Sequence, residues 1–141
     1  MTAATALSLC NCFAVRQAAR QVTKLYERHF AQARLTSAQF SILVALAEEG
    51  RMTMIELAKA LVMDRTTLLR AIKPLQRESL LRSAASDADP RQLVFSLSAA
   101  GERRLRQAMP LWRQAQEEFE SAVGSSGAAR LRAALLAIAK N

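Results

Sequence analysis

The stretch MDRTTLLRAIKPLQRE, residues 63–78, has two distinct faces when it is arranged as a helix. Leu68, Ile72 and Leu75 recur at the spacing of a buried apolar stripe. A second stripe carries hydroxyl and cationic side chains: Thr66, Arg70, Lys73 and Arg77. Such side chains can reach phosphates and base edges in the major groove of DNA. A basic face on one helix is equally compatible with simple solvation, so the flanking sequence has to discriminate between the two.

Capping signals in front of this stretch predict a pair of short helices. The segment TSAQ at 36–39 is a capping box that begins a helix ending at Gly50. A second capping box, TMIE at 53–56, begins a short helix that ends near residue 61. Asp64 can then cap the two-faced helix, because its carboxylate accepts from the free amides of the first turn. Two short helices separated by a tight turn have the spacing of a helix-turn-helix.

The residues after the two-faced helix have the pattern of β-strands joined by a turn. Residues 80–84 form a short extended run, and SDADP at 86–90 is typical of a turn. Residues 92–97 alternate like a strand, with Leu93, Phe95 and Leu97 on one face. Two strands around a polar turn predict a β-hairpin directly after the two-faced helix. That order of elements is the winged-helix arrangement.

Long helices are predicted at both ends of the chain. The first covers residues 8–33, and the second, capped by Ser98, covers 99–123 with a kink expected at Pro110. A turn at 124–127 leads to a final helix over 128–140. Its broad apolar face has these members: Leu131, Leu135, Leu136 and Ile138. An apolar face without a partner in its own chain favours association between two copies, although packing on the central core is the alternative.

Composition narrows the class of protein. The 141 residues carry a formal net charge of +8, which suits a polyanionic partner. Apolar runs are too short for a membrane span and a basic leader is lacking, so we expect a cytoplasmic protein without a membrane partner. Cys10 and Cys12, if both helical, point to different sides and make a poor disulfide. Phosphate loops, metal-ligand clusters and nucleophile motifs are not apparent, which predicts neither an enzyme nor a cofactor or metal site.

Several local strings, taken in order, resemble the MarR family of bacterial transcriptional regulators. The strings are LTSAQFSIL at 35–43, MTMIELA at 52–58, MDRTTL at 63–68, DPR at 89–91 and LVFSLSAAG at 93–101. The resemblance covers nearly the whole chain. It implies a mainly α fold with a small β-hairpin, in a single domain over 1–141. The lobe at 36–98 would be a winged helix-turn-helix, and the segments 1–34 and 99–141 would be dimerisation helices.

The resemblance also implies how the chain would contact double-stranded DNA. A homodimer would bind a pseudo-palindromic operator, with one recognition helix in each major groove, and would act as a repressor. The candidate readers of base edges are Thr66, Thr67 and Arg70, with Thr53 as a further contact. The candidate backbone contacts are Arg65, Lys73, Arg77 and Arg82. Arg91, at the tip of the wing, would enter the adjacent minor groove.

Two positions depart from the family pattern. Ser79 stands just past the recognition helix, where the family usually has glycine. A left-handed conformation at this serine would cost on the order of 1 kcal/mol. Pro90 occupies a wing position where arginine is common, which leaves Arg91 as the cation of the wing tip.

The first helix carries the candidates for signal sensing. Family members usually release DNA when a small phenolic or anionic molecule binds between the DNA-binding lobe and the dimer helices. Cys12 and Tyr26 instead resemble the organic-peroxide-sensing branch, although Arg16 and Ser37 replace two tyrosines of that branch. Arg16 lies one turn from Cys12 and could either favour its thiolate or hold a ligand carboxylate. A packed, inert cysteine is the third reading, and a basic adaptor that binds an acidic protein is the alternative to a DNA-binding regulator.

Overall fold

The computed structural model describes residues 2–140, and most of them are helical. The N-terminal helices are α1 (Ala3–Ser8) and α2 (Asn11–Phe30), and a 3-10 turn (Ala31–Ala33) follows. The central elements are α3 (Ser37–Glu49), β1 (Met52–Thr53), α4 (Met54–Leu61), α5 (Arg65–Arg77), β2 (Leu81–Ala85) and β3 (Leu93–Leu97). The chain ends with α6 (Ala99–Val123) and α7 (Ser125–Ala139). The predicted mainly α fold with a small β element is confirmed.

The prediction of one uninterrupted helix over residues 8–33 is wrong. The chain breaks between α1 and α2, where Cys10 adopts an extended conformation with φ −81° and ψ 112°. Its sulfur accepts a hydrogen bond from the amide of Phe13 at 3.4 Å, so Cys10 caps α2. A thiol is a weak acceptor and is uncommon as a cap, which explains why the sequence pattern did not reveal this break.

The helix-turn-helix forms where the capping signals predicted it. The amide of Thr36 donates to Gln39 Oε1 at 3.0 Å, and the amide of Thr53 donates to Glu56 Oε2 at 2.7 Å. Each hydroxyl accepts from the backbone three residues later, which completes both capping boxes. The turn between α4 and α5 is closed by Val62 in the left-handed region, with φ 51°. This conformation is uncommon for a β-branched residue, and it reverses the chain so that α5 can follow α4 closely.

The wing belongs to a three-stranded antiparallel sheet rather than to an isolated hairpin. Strands β2 and β3 pair as predicted, with Leu81 opposite Leu97. The short strand β1 pairs with the other side of β3 and places Met52 opposite Phe95. Two residues are too short to give a periodic signal in the sequence, so this strand was not predicted. It ties the beginning of α4 to the wing.

One buried cluster supports the recognition helix from behind. Leu68, Ile72 and Leu75 of α5 are essentially inaccessible, as the apolar stripe predicted. They belong to the same cluster as Phe30 of α2 and Phe95 of β3. The cluster also includes Ala108 and Leu111 of α6, so α5 packs into a core that is shared with elements from both ends of the chain.

The C-terminal helices differ from the prediction in one boundary. Helix α6 covers the predicted residues, with Pro110 inside it. The turn predicted at 124–127 is confined to Gly124, because α7 already begins at Ser125. Ala128 of α7 is buried. The predicted apolar face of α7 stays uncovered in the single chain, with side chains between 42% and 67% exposed: Leu131, Leu135, Leu136 and Ile138.

Polar contacts join α2 to α6 above the core. Tyr26 donates its hydroxyl to Gln116 Oε1, and Arg28 pairs with Glu118. His29 Nε2 lies 2.6 Å from Glu118 Oε2. The hydrogen bond with His29, followed by that with Arg28, lowers the pKa of Glu118 below its usual value.

The contacts of Glu118 predict an acid-dependent contribution to stability. A carboxylate whose pKa is lower in the folded chain stabilises the fold above its unfolded pKa and loses this effect as pH falls through the folded value. We therefore expect Glu118→Gln to melt below wild type at neutral pH, and the difference to shrink as pH falls below the usual glutamate pKa of about 4.3. Thermal melts from pH 7 to pH 3 measure it. A difference in Tm that is as large at pH 3 as at pH 7 would contradict a charge effect.

Candidate nucleic-acid interface

The outer face of α5 is cationic and open to solvent. All of its predicted contact residues are exposed: Arg65, Thr66, Thr67, Arg70, Lys73 and Arg77. None of these cations forms an ion pair with a carboxylate within residues 2–140. Their charges are therefore not neutralised by the protein and remain available to an anionic partner. The roles in DNA contact stay predictions, and the exposure of the face is what the structure adds to them.

Asp64 organises the first turn of α5. Its Oδ1 accepts from the Thr67 amide at 2.8 Å, and its Oδ2 accepts from the Thr67 hydroxyl at 2.7 Å. These bonds, the amide bond first, lower the pKa of Asp64. The Thr67 hydroxyl thus already donates its hydrogen to Asp64. It can still accept a hydrogen bond from a base, and its methyl group can contact thymine.

Removal of the Asp64 cap should loosen the recognition helix. We expect Asp64→Ala to lower the Tm by about 4 °C, because the first-turn amides lose their acceptor. Thermal denaturation at pH 7 measures the change. Asp87→Ala in the exposed wing turn is a matched control, since it removes the same charge from a residue that caps no helix. Equal Tm losses in both variants would mean that net charge, not capping, is responsible.

Thr53 is half-buried and already used by its own helix. Its hydroxyl accepts from the Glu56 amide at 3.2 Å, while its amide donates back to the Glu56 carboxylate. The hydroxyl hydrogen is not used in a bond within the described part of the chain. Contact with a phosphate through this hydrogen is compatible with the capping box, so Thr53 would bind DNA from a rigid position.

The wing carries two of the predicted cations. Arg82 lies on β2 opposite Ser96 and is exposed. Arg91 follows the turn, with its side chain 90% exposed, and pairs with Asp89 through Nε at 3.1 Å and Nη2 at 3.3 Å. The side-chain bonds from Arg91, ahead of its amide bond, lower the pKa of Asp89. A carboxylate thus holds the guanidinium at the wing tip, and DNA would have to compete with it.

The end of α5 is fixed to α6 by contacts that the sequence pattern did not reveal. Ser79 takes the left-handed conformation expected of it, with φ 58°. Its carbonyl accepts from the Ser98 hydroxyl at 2.6 Å, and the Leu80 carbonyl accepts from the Ser98 amide at 3.0 Å. Gly101 approaches the same backbone so closely that a Cβ would lie 2.1 Å from the Leu80 oxygen. The recognition helix is therefore anchored to the first turn of α6.

A second connection at this junction is an ion cluster, which we call the Glu78 cluster and which consists of Glu78, Arg34 and Arg104. Glu78 Oε1 accepts from Arg34 Nη2 at 3.2 Å and from Arg104 Nη2 at 3.5 Å. Arg104 also donates to the carbonyl of Ala33 at 3.3 Å. The cluster joins the end of α5 to α6 and to the 3-10 turn behind α2.

The candidate sensing residues do not form one site within a single chain. Cys12 lies in the first turn of α2 and is exposed, so packing as a buried apolar cysteine is wrong for the single chain. Arg16 is also exposed, and no hydrogen bond within residues 2–140 joins it to Cys12. Tyr26 is half-buried, and burial, reinforced by Glu120, raises its pKa. It lies about 21 Å from Cys12 along α2, so a Cys12–Tyr26 pair would need two copies of the chain.

Cys10 requires a correction to the argument against a disulfide. That argument assumed that Cys10 and Cys12 are both helical, whereas Cys10 is the cap of α2. Helical spacing therefore no longer separates the two sulfurs. Both thiols are free and exposed.

An open groove of about 1070 Å³ separates the helix-turn-helix from the end of α7. Its walls include Val62 and Met63 from the turn and Leu136 from α7. Lys59 and Lys140 contribute the cations of its lining. The groove lies between the winged lobe and a terminal helix, which is the kind of position that the resemblance implies for an effector. Nothing in the described residues 2–140 groups His, Cys, Asp or Glu side chains as a metal site, and no helix there is long and apolar enough to cross a membrane.

Comparison with known proteins gives a consistent result. The MarR family model matches residues 35–93. The transcriptional regulator MosR of M. tuberculosis, solved in complex with DNA, is 35% identical, with a TM-score of 0.82 over 93% of this chain and 94% of that one. The transcriptional repressor NicR of Pseudomonas putida is 28% identical over 103 residues, 73% of this chain and 65% of NicR.

A third relative is the organic hydroperoxide resistance transcriptional regulator of Bacillus subtilis. It is 27% identical over 90 residues, which are 64% of this chain and 61% of that protein. These relatives are transcriptional regulators rather than enzymes, as the sequence predicted. The winged helix-turn-helix, the family match and the likeness to MosR agree, and the chain belongs to the MarR family of transcriptional regulators.

Proposed function

We propose that the protein is a homodimeric repressor that binds a pseudo-palindromic operator in double-stranded DNA in the cytoplasm. The observation that carries the proposal is the exposed cationic face of α5, backed by buried Leu68, Ile72 and Leu75. A helix supported in this way presents its polar face rigidly, as insertion into a major groove requires. Similarity to MosR, which was solved on DNA, supports the same partner.

Dimerisation is proposed from the terminal helices. The apolar face of α7 is uncovered in the single chain, and Leu9 before α2 is 68% exposed. Exposed apolar groups on the terminal elements favour a self-complementary interface. A second copy that covers these faces would give two recognition helices related by a two-fold axis. Such a pair matches a palindromic site in DNA.

The contacts of α5 divide by their position along the helix. Thr66, Thr67 and Arg70 lie in its first half, from which a recognition helix usually reads bases. Lys73 and Arg77 lie further along and would hold phosphates, together with Arg65 and with Arg82 of the wing. Arg91 would leave Asp89 and enter the adjacent minor groove, where the potential of A·T-rich DNA attracts arginine.

Selection of bound duplexes from a random pool tests this proposal. The full chain should enrich a palindromic consensus, and light scattering should give the mass of a dimer. Leu135→Glu, on the uncovered face of α7, should shift the mass to a monomer and weaken binding to the full palindrome. Binding that is sequence-independent and disappears with salt would instead favour the basic adaptor.

An aromatic or otherwise apolar anion is proposed as the effector that releases DNA. The groove at α7 offers apolar walls and the cations Lys59 and Lys140, and its lining also includes Asp64, whose carboxylate is bonded to Thr67. Because it contains the turn between α4 and α5, an occupant there would disturb the beginning of the recognition helix. The test is titration of the DNA complex with benzoate and 4-hydroxybenzoate beside their neutral amides. Release by the acids alone, and its loss in Lys59→Gln, would support the site; release by acid and amide alike would reject it.

Redox sensing is the second candidate, favoured by the exposure of the Cys12 thiol. The similarity to the hydroperoxide resistance regulator of Bacillus subtilis points the same way. An organic hydroperoxide should then release DNA from wild type and from Cys10→Ser, but not from Cys12→Ser. If all proteins respond alike, Cys12 is not the sensor.

A further inference from the structure

We propose that Glu78 is a positioning residue that fixes the angle between the recognition helix α5 and the long helix α6, and so sets the half-site spacing that the dimer accepts. The inference rests on the proposed homodimer on a palindromic operator. It assigns to Glu78 a role in specificity that does not involve contact with a base.

The Glu78 cluster joins three elements at one carboxylate oxygen. Glu78 follows the last residue of α5, and its Oε1 receives Arg34 from behind the 3-10 turn and Arg104 from α6. The side chain of Arg104 is only 14% exposed and is held a second time by the Ala33 carbonyl. A guanidinium that is restrained in this way loses little further freedom when it binds a carboxylate. Arg104 therefore gives Glu78 a fixed point on α6.

The end of α5 is joined to α6 by two anchors in addition to the core. The buried stripe of α5 packs against α3 and α4. Ser98 bonds to the carbonyls of Ser79 and Leu80, so the end of α5 meets α6 around one short segment. The Glu78 cluster adds the second anchor, because Arg104 lies about 9 Å further along α6 than Ser98 and Arg34 connects it to the 3-10 turn. Together with the core, the two anchors restrain the direction of α5 relative to α6.

The direction of α5 decides the spacing between half-sites. In a dimer built on the terminal helices, α6 is part of the shared frame, and each α5 projects from it. One inserted base pair moves a half-site about 3.4 Å along and about 35° around the DNA axis. A firmly held α5 cannot follow this displacement, whereas a loosened one can. Glu78 lies about 12 Å along the helix from Arg70, so its loss should leave base preference unchanged.

The first test measures binding to palindromes whose half-sites are separated by one base pair more or fewer than the optimum. Wild type should lose about tenfold in affinity for each step, whereas Glu78→Gln should lose about threefold or less. Glu102→Gln is the matched control, since it makes the same charge change on α6 and Glu102 has no side-chain bond within residues 2–140. Arg34→Gln should flatten the profile in the same direction. A Glu78→Gln profile as steep as wild type, or a wild type indifferent to spacing, overturns the inference.

The second test needs no DNA, so it separates failure of this inference from failure of the proposed function. Spin labels at Lys73→Cys and Glu117→Cys, in a Cys10→Ser, Cys12→Ser background, report the distance between α5 and α6 in the full chain. The distance distribution should broaden in Glu78→Gln and stay narrow in Glu102→Gln. Equal widths overturn the role of Glu78 even if the operator is found. A wild type that binds no palindrome overturns the proposed function. The widths of the distance distributions would still test whether Glu78 restrains α5 relative to α6.

Discussion

Gly101→Ala should lower the free energy of unfolding by about 3 kcal/mol, at the upper end of what one added methyl group costs in a packed interior. The new Cβ would lie 2.1 Å from the Leu80 carbonyl oxygen and 3.1 Å from its carbon. Both atoms are backbone and cannot rotate away as a side chain can. The oxygen also accepts from the Ser98 amide, so relief of the clash would break the anchor between α5 and α6.

Gly127→Ala provides the matched control for this prediction. Gly127 also lies within a helix, but nothing stands within 4 Å of its prospective Cβ. Alanine there should stabilise the protein by up to about 1 kcal/mol, because it restricts the unfolded chain and favours the helix. Urea denaturation of both variants measures the difference. Similar small changes in the two midpoints would show that the backbone at Leu80 moves easily. The contact between the end of α5 and the first turn of α6 would then not be rigid.

Local chemistry explains what could be predicted from the sequence. Thr36, Thr53, Asp64 and Ser98 each begin a helix at the expected place, because a cap and the amide it binds lie only three residues apart. The buried stripe of α5 was predictable for the same reason, since helical periodicity brings its members together within one element. Signals of this kind need no knowledge of the rest of the chain.

The contacts at the end of α5 could not be predicted in this way. Arg34, Glu78 and Arg104 are far apart in the sequence and meet only after α2, α5 and α6 have packed together. The glycine at position 101 looked like an ordinary helix residue, and its close approach to Leu80 depends on the same packing. The break at Cys10 was missed for a different reason, because its cap is an atypical acceptor.

The candidate DNA contacts, too, could be predicted from the sequence only in part. Exposure of the cations along α5 followed from their spacing. The intramolecular bonds of two contact residues did not: Thr67 is held by Asp64, and Arg91 is held by Asp89. Both acceptors are near in sequence, yet nothing in the pattern distinguished a residue directed at DNA from one bonded to its neighbour. The structure thereby leaves Arg70 and Thr66 as the candidate base readers whose side-chain polar groups form no bond within residues 2–140.

Arg70→Ala should therefore reduce discrimination at one base pair of each half-site. If Arg70 pairs bidentately with guanine, the loss is about 1–3 kcal/mol, or about 5- to 150-fold in affinity for the preferred site. Sites that already lack this guanine should lose far less, since only the phosphate attraction of one cation disappears. Competition binding with single-base operator variants measures the change position by position.

Two control variants, Lys73→Ala and Arg106→Ala, distinguish the loss of base recognition from the loss of one positive charge. Lys73→Ala should weaken all sites nearly equally and reduce the salt dependence by about one ion, as expected for a phosphate contact. Arg106→Ala, on the exposed face of α6, removes the same charge outside the recognition helix and should leave both specificity and salt slope almost unchanged. A base preference that survives in Arg70→Ala would show that Arg70 does not read a base edge. Discrimination would then depend on Thr66 and Thr67, or on the shape of the DNA between the half-sites.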